Sequence, residues 1–294
     1  MEKMFSLMLK AHPELTTVLV ENDDAKIVSV LFLITGKFIH TSKQFTYCNM
    51  SYFATEPSYR KGQATALIID YVTEIIQNTY DLVFGFPRHI MHGYWTRHRF
   101  EELTNSNCIA INVKKSDLPR YKGTTFRVAT PTDIAGLNMI YCLTSSERVI
   151  NFIRSISRWE YLLRVSRLHK LQIFICEDPL GDKLGYFVIR DGVILEVGCI
   201  DGREYQVITQ ELLTSLGLSD ISLSLRGALP NSQIITQKLL NGLGKIELIG
   251  EDLWDFMYFC RDENLKQHFR QIEGSTSFDF SSASPSNFTL LDQF

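Results

Sequence analysis

Apolar and polar positions change period several times along the chain, and each change marks an element. Thr16 to Asn22 (TTVLVEN) is short and β-branched, and Asp23-Asp24 after it reads as a turn. KIVSVLFLITGKFIH, ending at His40, and Phe45 to Thr55 (FTYCNMSYFAT) predict two longer strands joined over the polar tip Ser42-Lys43-Gln44. The three segments read as an antiparallel meander. Pro57 to Gly62 breaks the alternation. From there to Tyr80 the apolar residues Ala64, Leu67, Ile68, Tyr71, Val72, Ile75 and Ile76 recur as on one helix face. Leu82 to Pro87 (LVFGFP) predicts a buried strand, Ile90 to His98 a short aromatic-rich helix, and FEELTNSNCIAINV a segment with strand character.

Lys114 to Thr125 (KKSDLPRYKGTT) is polar, holds Pro119 and Gly123, and reads as a linker. A second series follows: the strand FRVAT, a helix from Pro131 to about Ser146, and a longer helical stretch from Glu147 to His169. LQIFICE, LGYFVI and VILEVGCI form another meander, with a turn at Asp178 to Lys183 and another at Asp191-Gly192. The last elements are a helix from Tyr205 to Leu216, the strand ISLSL, a helix from Gln233 to Asn241, and a strand from Leu253 to Cys260. Both halves follow the order meander, helix, strand, helix, strand, so the architecture repeats although the sequence does not. The fold class is α/β in the α+β sense: two units, 1–115 and 125–272, each a mostly antiparallel central sheet flanked by helices. They are joined by 116–124 and followed by a serine-rich tail, 273–294, that reads as flexible.

Of the 294 residues, 45% are hydrophobic and 21% charged, so a sizeable core is expected. A net charge of −3 gives the surface no general attraction for nucleic acid or anionic membranes, and any anion site must be local. The basic run Arg154, Arg158, Arg164, Arg167, His169 and Lys170 has Ile153, Ile156, Tyr161, Leu162 and Val165 interleaved. It reads as the solvated face of a helix rather than a nucleic-acid surface. The six cysteines form no C-x-x-C pair and none lies near a histidine at metal-ligand spacing, so reduced, mostly buried thiols and no metal are expected. No apolar run approaches the ~20 residues of a membrane span, and the N-terminus lacks the pattern of a signal peptide. A cytoplasmic location is expected; the oligomeric state is not legible.

The candidate chemistry lies at Pro57 to Ile68 (PSYRKGQATALI), where a strand runs through a short turn into a helix. Unpaired N–H groups at a helix N-terminus suit a phosphate, Gly62 would let the backbone approach it, and Arg60 and Lys61 would add cations. A solvated turn with two surface cations is the other reading.

The run Tyr59-Arg60-Lys61-Gly62-Gln63-Ala64 resembles the acyl-CoA signature of the Gcn5-related N-acetyltransferase (GNAT) superfamily, R/Q-x-x-G-x-G/A. Gly62 and Ala64 match, and Tyr59 stands where the family has Arg or Gln. LVFGFPRHIMHGYWTRHRFEEL resembles the strand–helix–strand that follows, particularly in the branch of the enhanced-intracellular-survival aminoglycoside acetyltransferases. Phe100 matches that branch's phenylalanine, Arg99 replaces its glycine, Trp95 occupies the usual tyrosine position, and Tyr94 is one residue earlier.

The resemblance implies two tandem GNAT-like domains. The second is degenerate, because Asp201-Gly202-Arg203-Glu204 would repel a pyrophosphate. It implies acetyl-CoA or another acyl-CoA on Arg60, Lys61, Gly62, Gln63, Ala64 and Thr65, with backbone contacts from Phe53 and Ala54. It implies Tyr94 as the acid that protonates the leaving thiolate, with His92, His98 or no residue as alternatives. A phenol suits that role because its pKa, near 10, lies just above a thiol's. Glu56 would be an amine-side base, Trp95 and Phe86 would wall the substrate, and a C-terminal carboxylate at Phe294 could reach the site. The implied activity is N-acyl transfer to a small-molecule or peptide amine by direct attack, with acetyl as default donor and a longer acyl chain as alternative. A non-catalytic acyl-CoA-binding scaffold or sensor is the rival.

Overall fold

The computed structural model describes residues 16–22, 24–60, 63–85, 87, 91–102, 110–145, 151–166, 170–200, 207–224 and 257–274. Lys61, Gly62, Phe86, the turn at 201–204, the helix expected at 233–241 and the tail with Phe294 lie outside them.

The first meander is β1 (Thr16–Glu21), β2 (Ile27–His40) and β3 (Lys43–Thr55), antiparallel, with β2 against β3 from His40↔Lys43 to Ser29↔Thr55. A bulge between Val30 and Phe32 shifts the register near the end of β3. The helix that follows, α1 (Gln63–Tyr71), runs on through a π-helical turn (Val72–Ile76) and a last turn (Gln77–Thr79). It returns the chain to β4 (Leu82–Gly85), parallel to β3. Then come α2 (His92–Arg97) and the two-residue β5 (Glu101–Glu102).

The second sheet is built from β7 (Thr125–Val128), β9 (Leu171–Glu177), β10 (Lys183–Arg190) and β11 (Val193–Cys199). Two helices, α3 (Ile134–Ser145) and α4 (Ile156–Val165), sit between β7 and β9 in the chain. Pro131–Asp133 opens α3 with a capping box, in which the Thr130 and Asp133 side chains each answer the other's backbone N–H. After α5 (Gln210–Ser215), β12 (Asp220–Ser224) lies parallel to β11. Residues 184–189 of β10 are all buried, which matches a strand covered on both faces.

The sheets exchange strands. The first has the order β1-β2-β3-β4-β13-β5, and β13 (Met257–Cys260) comes from the far end of the chain, antiparallel to both β4 and β5. The second has the order β6-β12-β11-β10-β9-β7, and β6 (Ala110–Lys114) comes from before the polar stretch 116–124. A helix with no forerunner in the sequence reading, α6 (Glu263–Gly274), follows β13. It buries Leu265 and Phe269, and Lys266 and Arg270 both reach Glu101 on β5.

The single helix expected over Glu147–His169 is replaced by two elements. Asn151 and Phe152 form β8, which pairs with Ile39 and Phe38 of β2, and the Ile153 N–H donates to the Lys37 carbonyl. Burying Phe152 among Phe38, Tyr47 and Phe84 outweighs helix continuation, and Ser155 then caps α4 by accepting from the Arg158 N–H. Similarly, the strand expected from Phe100 to Val113 supplies β5 to one sheet and β6 to the other.

Alternation divides the core. Cys48 and Met50 of β3 pack with Ile68 of α1 and Val72 of the π-helical turn, while Phe45 and Tyr47 pack with Phe84, Phe152 and Phe269. Burial pushes the Cys48, Cys176 and Cys260 thiols up to about 12, which makes them unreactive packing groups. Among the described residues no helix is long and apolar enough to cross a membrane, and no group of three His, Cys, Asp or Glu could hold a metal ion.

Candidate active site

β3 and β4 pair over four rungs, from Tyr47↔Leu82 to Met50↔Gly85. β4 then ends, while β3 continues to Thr55. Among the described residues no strand pairs with Ser51–Thr55 on the β4 side, so a fork opens at Met50 and Gly85. Phe53 is half-buried and Ala54 exposed on the arm that continues. Ala54 sits opposite Val30, and its carbonyl accepts from the Ser29 hydroxyl at 3.1 Å.

The arm leads into the turn that begins α1. Pro57–Tyr59 is a 3₁₀ turn, and the exposed Arg60 donates from Nε to the Thr55 carbonyl at 3.0 Å. Gln63 is exposed, Ala64 is buried, and Thr65 is half-buried in the first helical turn. Thr65 Oγ1 lies 3.2 Å from Thr55 Oγ1, which lies 2.7 Å from Ser29 Oγ. This line of hydroxyls ties β2, β3 and the start of α1 together. Ser29 and Thr55 were not among the residues singled out in the sequence.

Tyr59, the departure from the family signature, has a local role. Its hydroxyl accepts from Asn22 Nδ2 at 3.0 Å and anchors the turn to the β1–β2 connection. Glu56 is in an ion pair with Lys26 at 2.9 Å, with 36% of its side chain exposed. The hydrogen bond to Glu56 raises the Lys26 ammonium pKa.

On the far side of the fork α2 brings Tyr94 and Trp95. Trp95 is buried, packs edge-on to Phe100 with centroids 4.8 Å apart, and covers Gly85. A Cβ at Gly85 would meet the Trp95 ring at 2.9 Å and the Met50 carbonyl oxygen at 3.1 Å. Gly85→Ala should therefore destabilise the protein by about 1–3 kcal/mol through overpacking, read from the denaturant midpoint; an unchanged midpoint would refute the close packing. Tyr94 is half-buried against the same core, 5.0 Å from the His98 ring. Burial, then the nearby Asp70 carboxylate, raises its pKa, so the phenol holds its proton. His92, at the start of α2, has Nδ1 3.2 Å from Glu102 Oε2. Arg99 follows the helix with φ of +68°, a left-handed conformation that favours glycine, which is the residue the resembled branch has there.

A cavity of about 430 Å³ begins at Asn49↔Phe84, one rung short of the last β3–β4 pair, and extends along β2 and β3 to the rung Lys37↔Thr46. Its opposite wall is Phe152 to Ser155 and Arg158, from the second half of the chain. That wall is held from behind. The buried Arg154 donates to both oxygens of the fully buried Glu196 on β11, at 2.6 and 2.8 Å, and lies over the Tyr141 ring at 4.2 Å. Tyr186 also donates to Glu196, at 2.6 Å.

No protein-family model matches the chain, and no curated protein matches it. Solved structures do. A conserved protein of Enterococcus faecalis V583, described as a probable N-acyltransferase, superposes with a TM-score of 0.64 at 14% identity, covering 88% of this chain and 64% of that one. Eis1 from Mycobacterium abscessus gives 0.60 at 12% identity, over 91% of this chain and 73% of that one. A GCN5-related N-acetyltransferase from Kribbella flavida gives 0.57 at 12%, over 84% and 60%. The chain thus spans 64% and 60% of the Enterococcus and Kribbella proteins. At these identities the likeness establishes the fold. The chain is folded as the GCN5-related N-acetyltransferases are, with two sheets in the tandem arrangement.

Proposed function

We propose that the protein is an N-acyltransferase that passes an acyl group from an acyl-CoA to an amine. The observation that carries this reading is the fork at Met50 and Gly85, where among the described residues no strand neighbours the β3 arm on the β4 side, and a long helix begins shortly after the arm ends. The free edge of such an arm can hydrogen-bond an extended pantetheine chain, and helix N–H groups can receive a pyrophosphate. Arg60, Lys61, Gly62, Gln63, Ala64 and Thr65 are assigned to the phosphates, and Phe53 and Ala54 to the arm. Acyl transfer is direct: the amine nitrogen bonds to the thioester carbonyl carbon, the carbon–sulfur bond breaks, and the thiolate takes a proton. Tyr94 is the proposed source of that proton, since its environment keeps the phenol protonated. Trp95 has no acidic proton to give and belongs to the packing under the fork. Glu56, paired to Lys26, is the proposed amine-side base.

Acetyl is the default donor and a longer acyl chain the alternative. Coenzyme A should raise the melting temperature, and the Arg60→Ala, Lys61→Ala double variant should lose most of that rise; an equal rise would displace the assigned site. Thiol release with an accepted amine should fall about 100-fold in kcat for Tyr94→Phe, the scale of lost general-acid catalysis. Unchanged turnover would remove Tyr94 from the mechanism, and coenzyme A binding without thiol release to any amine would favour the non-catalytic sensor.

A further inference from the structure

Helix α2 has six residues, about 9 Å of length, and a helix that short is not stable by itself. What fixes its two ends therefore fixes Tyr94. At its start His92 Nδ1 lies 3.2 Å from Glu102 Oε2. At its end the Phe100 N–H donates to the Trp95 carbonyl at 3.3 Å and the Arg99 N–H to the Thr96 carbonyl at 3.1 Å, while the Trp95 and Phe100 rings pack together. This is a helix C-cap with Arg99 as its left-handed residue. It serves the carbonyls of Trp95 and Thr96, not that of His98.

The His98 carbonyl is answered from another element. Gln77 Nε2 donates to it at 3.0 Å, across 21 residues of sequence. Gln77 follows directly on the π-helical turn of the long helix, and its own N–H bonds back to the Val72 carbonyl. Turns of this kind take in an extra residue and so change which side chains after them face inward. Gln77 is 2% exposed, next to Ile76, which shares a core with Trp95, Phe100 and Met257. A primary amide in such a place carries a desolvation cost that a methionine of similar length would not. Its hydrogen bond goes to the end of the helix that bears Tyr94, whose ring lies 5.0 Å from the His98 ring.

Resting on the acyltransferase reading above, we propose that Gln77 is a positioning residue: through the His98 carbonyl it sets the direction of α2, and with it the place of the Tyr94 phenol at the fork. It acts through the backbone of α2 and not on the reactants.

Gln77→Met keeps the length of the side chain and removes the donor. With an accepted amine it should lower kcat about tenfold, on the scale of a displaced catalytic group, while KM for acyl-CoA and the thermal shift by coenzyme A stay unchanged. Placed in Tyr94→Phe, the same substitution should cost less than about twofold, because no phenol is left to misplace. Equal losses in the two backgrounds, or an unchanged kcat in the single variant, overturn the proposal and leave the acyltransferase reading standing. If Gln77→Met lacks a cooperative melt, Gln77→Asn, one methylene shorter, takes its place. Should Tyr94→Phe itself leave turnover unchanged, Tyr94 leaves the mechanism and this proposal falls with it. If no amine releases thiol, the acyltransferase reading fails instead, and the placement of Tyr94 is read by NMR from tyrosine labelled with carbon-13 at Cζ. The Tyr94 resonance, identified by its loss in Tyr94→Phe, should then move in Gln77→Met; an unmoved resonance overturns the proposal.

Discussion

Arg154→Met should lower stability by about 3–5 kcal/mol, the usual loss when one partner of a buried ion pair is removed. The side chains of Arg154 and Glu196 are 3% and 0% exposed, so removing the guanidinium strands the Glu196 carboxylate where water cannot reach it. Tyr186 would still donate to it, but a neutral phenol does not replace the lost cation. The aromatic faces of Tyr141 and Trp159, 4.2 and 5.3 Å from the guanidinium carbon, would lose their cation as well. Combining Arg154→Met with Glu196→Leu should recover part of the loss, because the stranded charge is then gone. Chemical denaturation of both singles and the double supplies the coupling term. A loss below about 1 kcal/mol in the single would mean that the pair is far wetter than its geometry indicates. The same variant should disturb the cavity, since Arg154 holds the segment that forms its far wall.

The second large effect concerns the exchanged strands. A fragment of residues 1–116 should fail to fold by itself, although it contains the fork, the turn and α1. β13 lies between β4 and β5, and Phe152, Leu265 and Phe269 cover one face of that sheet. Without them β4 keeps an open edge and an exposed aromatic face, conditions that favour aggregation over a stable monomer. The fragment should show no cooperative thermal transition, whereas co-expression with 117–294 should restore one. A sharp monomeric melt of 1–116 alone would show that the exchange is dispensable.

Both effects involve features that the sequence showed only in part. The long helix after the turn was legible because Ala64, Ile68, Val72 and Ile76 repeat on one face and are buried on that face. The two meanders were legible from alternation. The exchange was not: Met257-Tyr258-Phe259-Cys260 reads as a strand, but a strand's composition does not say which edge it joins. The segment before α4 misled because Ile153, Ile156 and Tyr161 continue an apparent helical period, while Ser155, the capping residue, marked the true start. Helix α6 had a signal, Leu265 and Phe269 four residues apart, beside a tail whose composition drew attention away.

At the site, the turn and α2 were found from motif resemblance, and Tyr94 and Trp95 from their place in it. The Ser29–Thr55–Thr65 hydroxyls were invisible because they come from three elements. Tyr59 looked anomalous for a similar reason: its partner Asn22 is 37 residues away. The cavity wall at Phe152 to Arg158 could not be placed without knowing that β8 joins β2.

The exchange also sets a clock on biosynthesis. β5 ends at Glu102 and β13 begins at Met257, so 155 residues of translation separate neighbouring strands of one sheet. At about 5–20 residues per second the nascent chain waits roughly 8–30 s with that gap unfilled. During that interval the unit bearing the fork is an incomplete intermediate on the ribosome, and chaperone supply, rather than final stability, would govern how much protein a cell obtains.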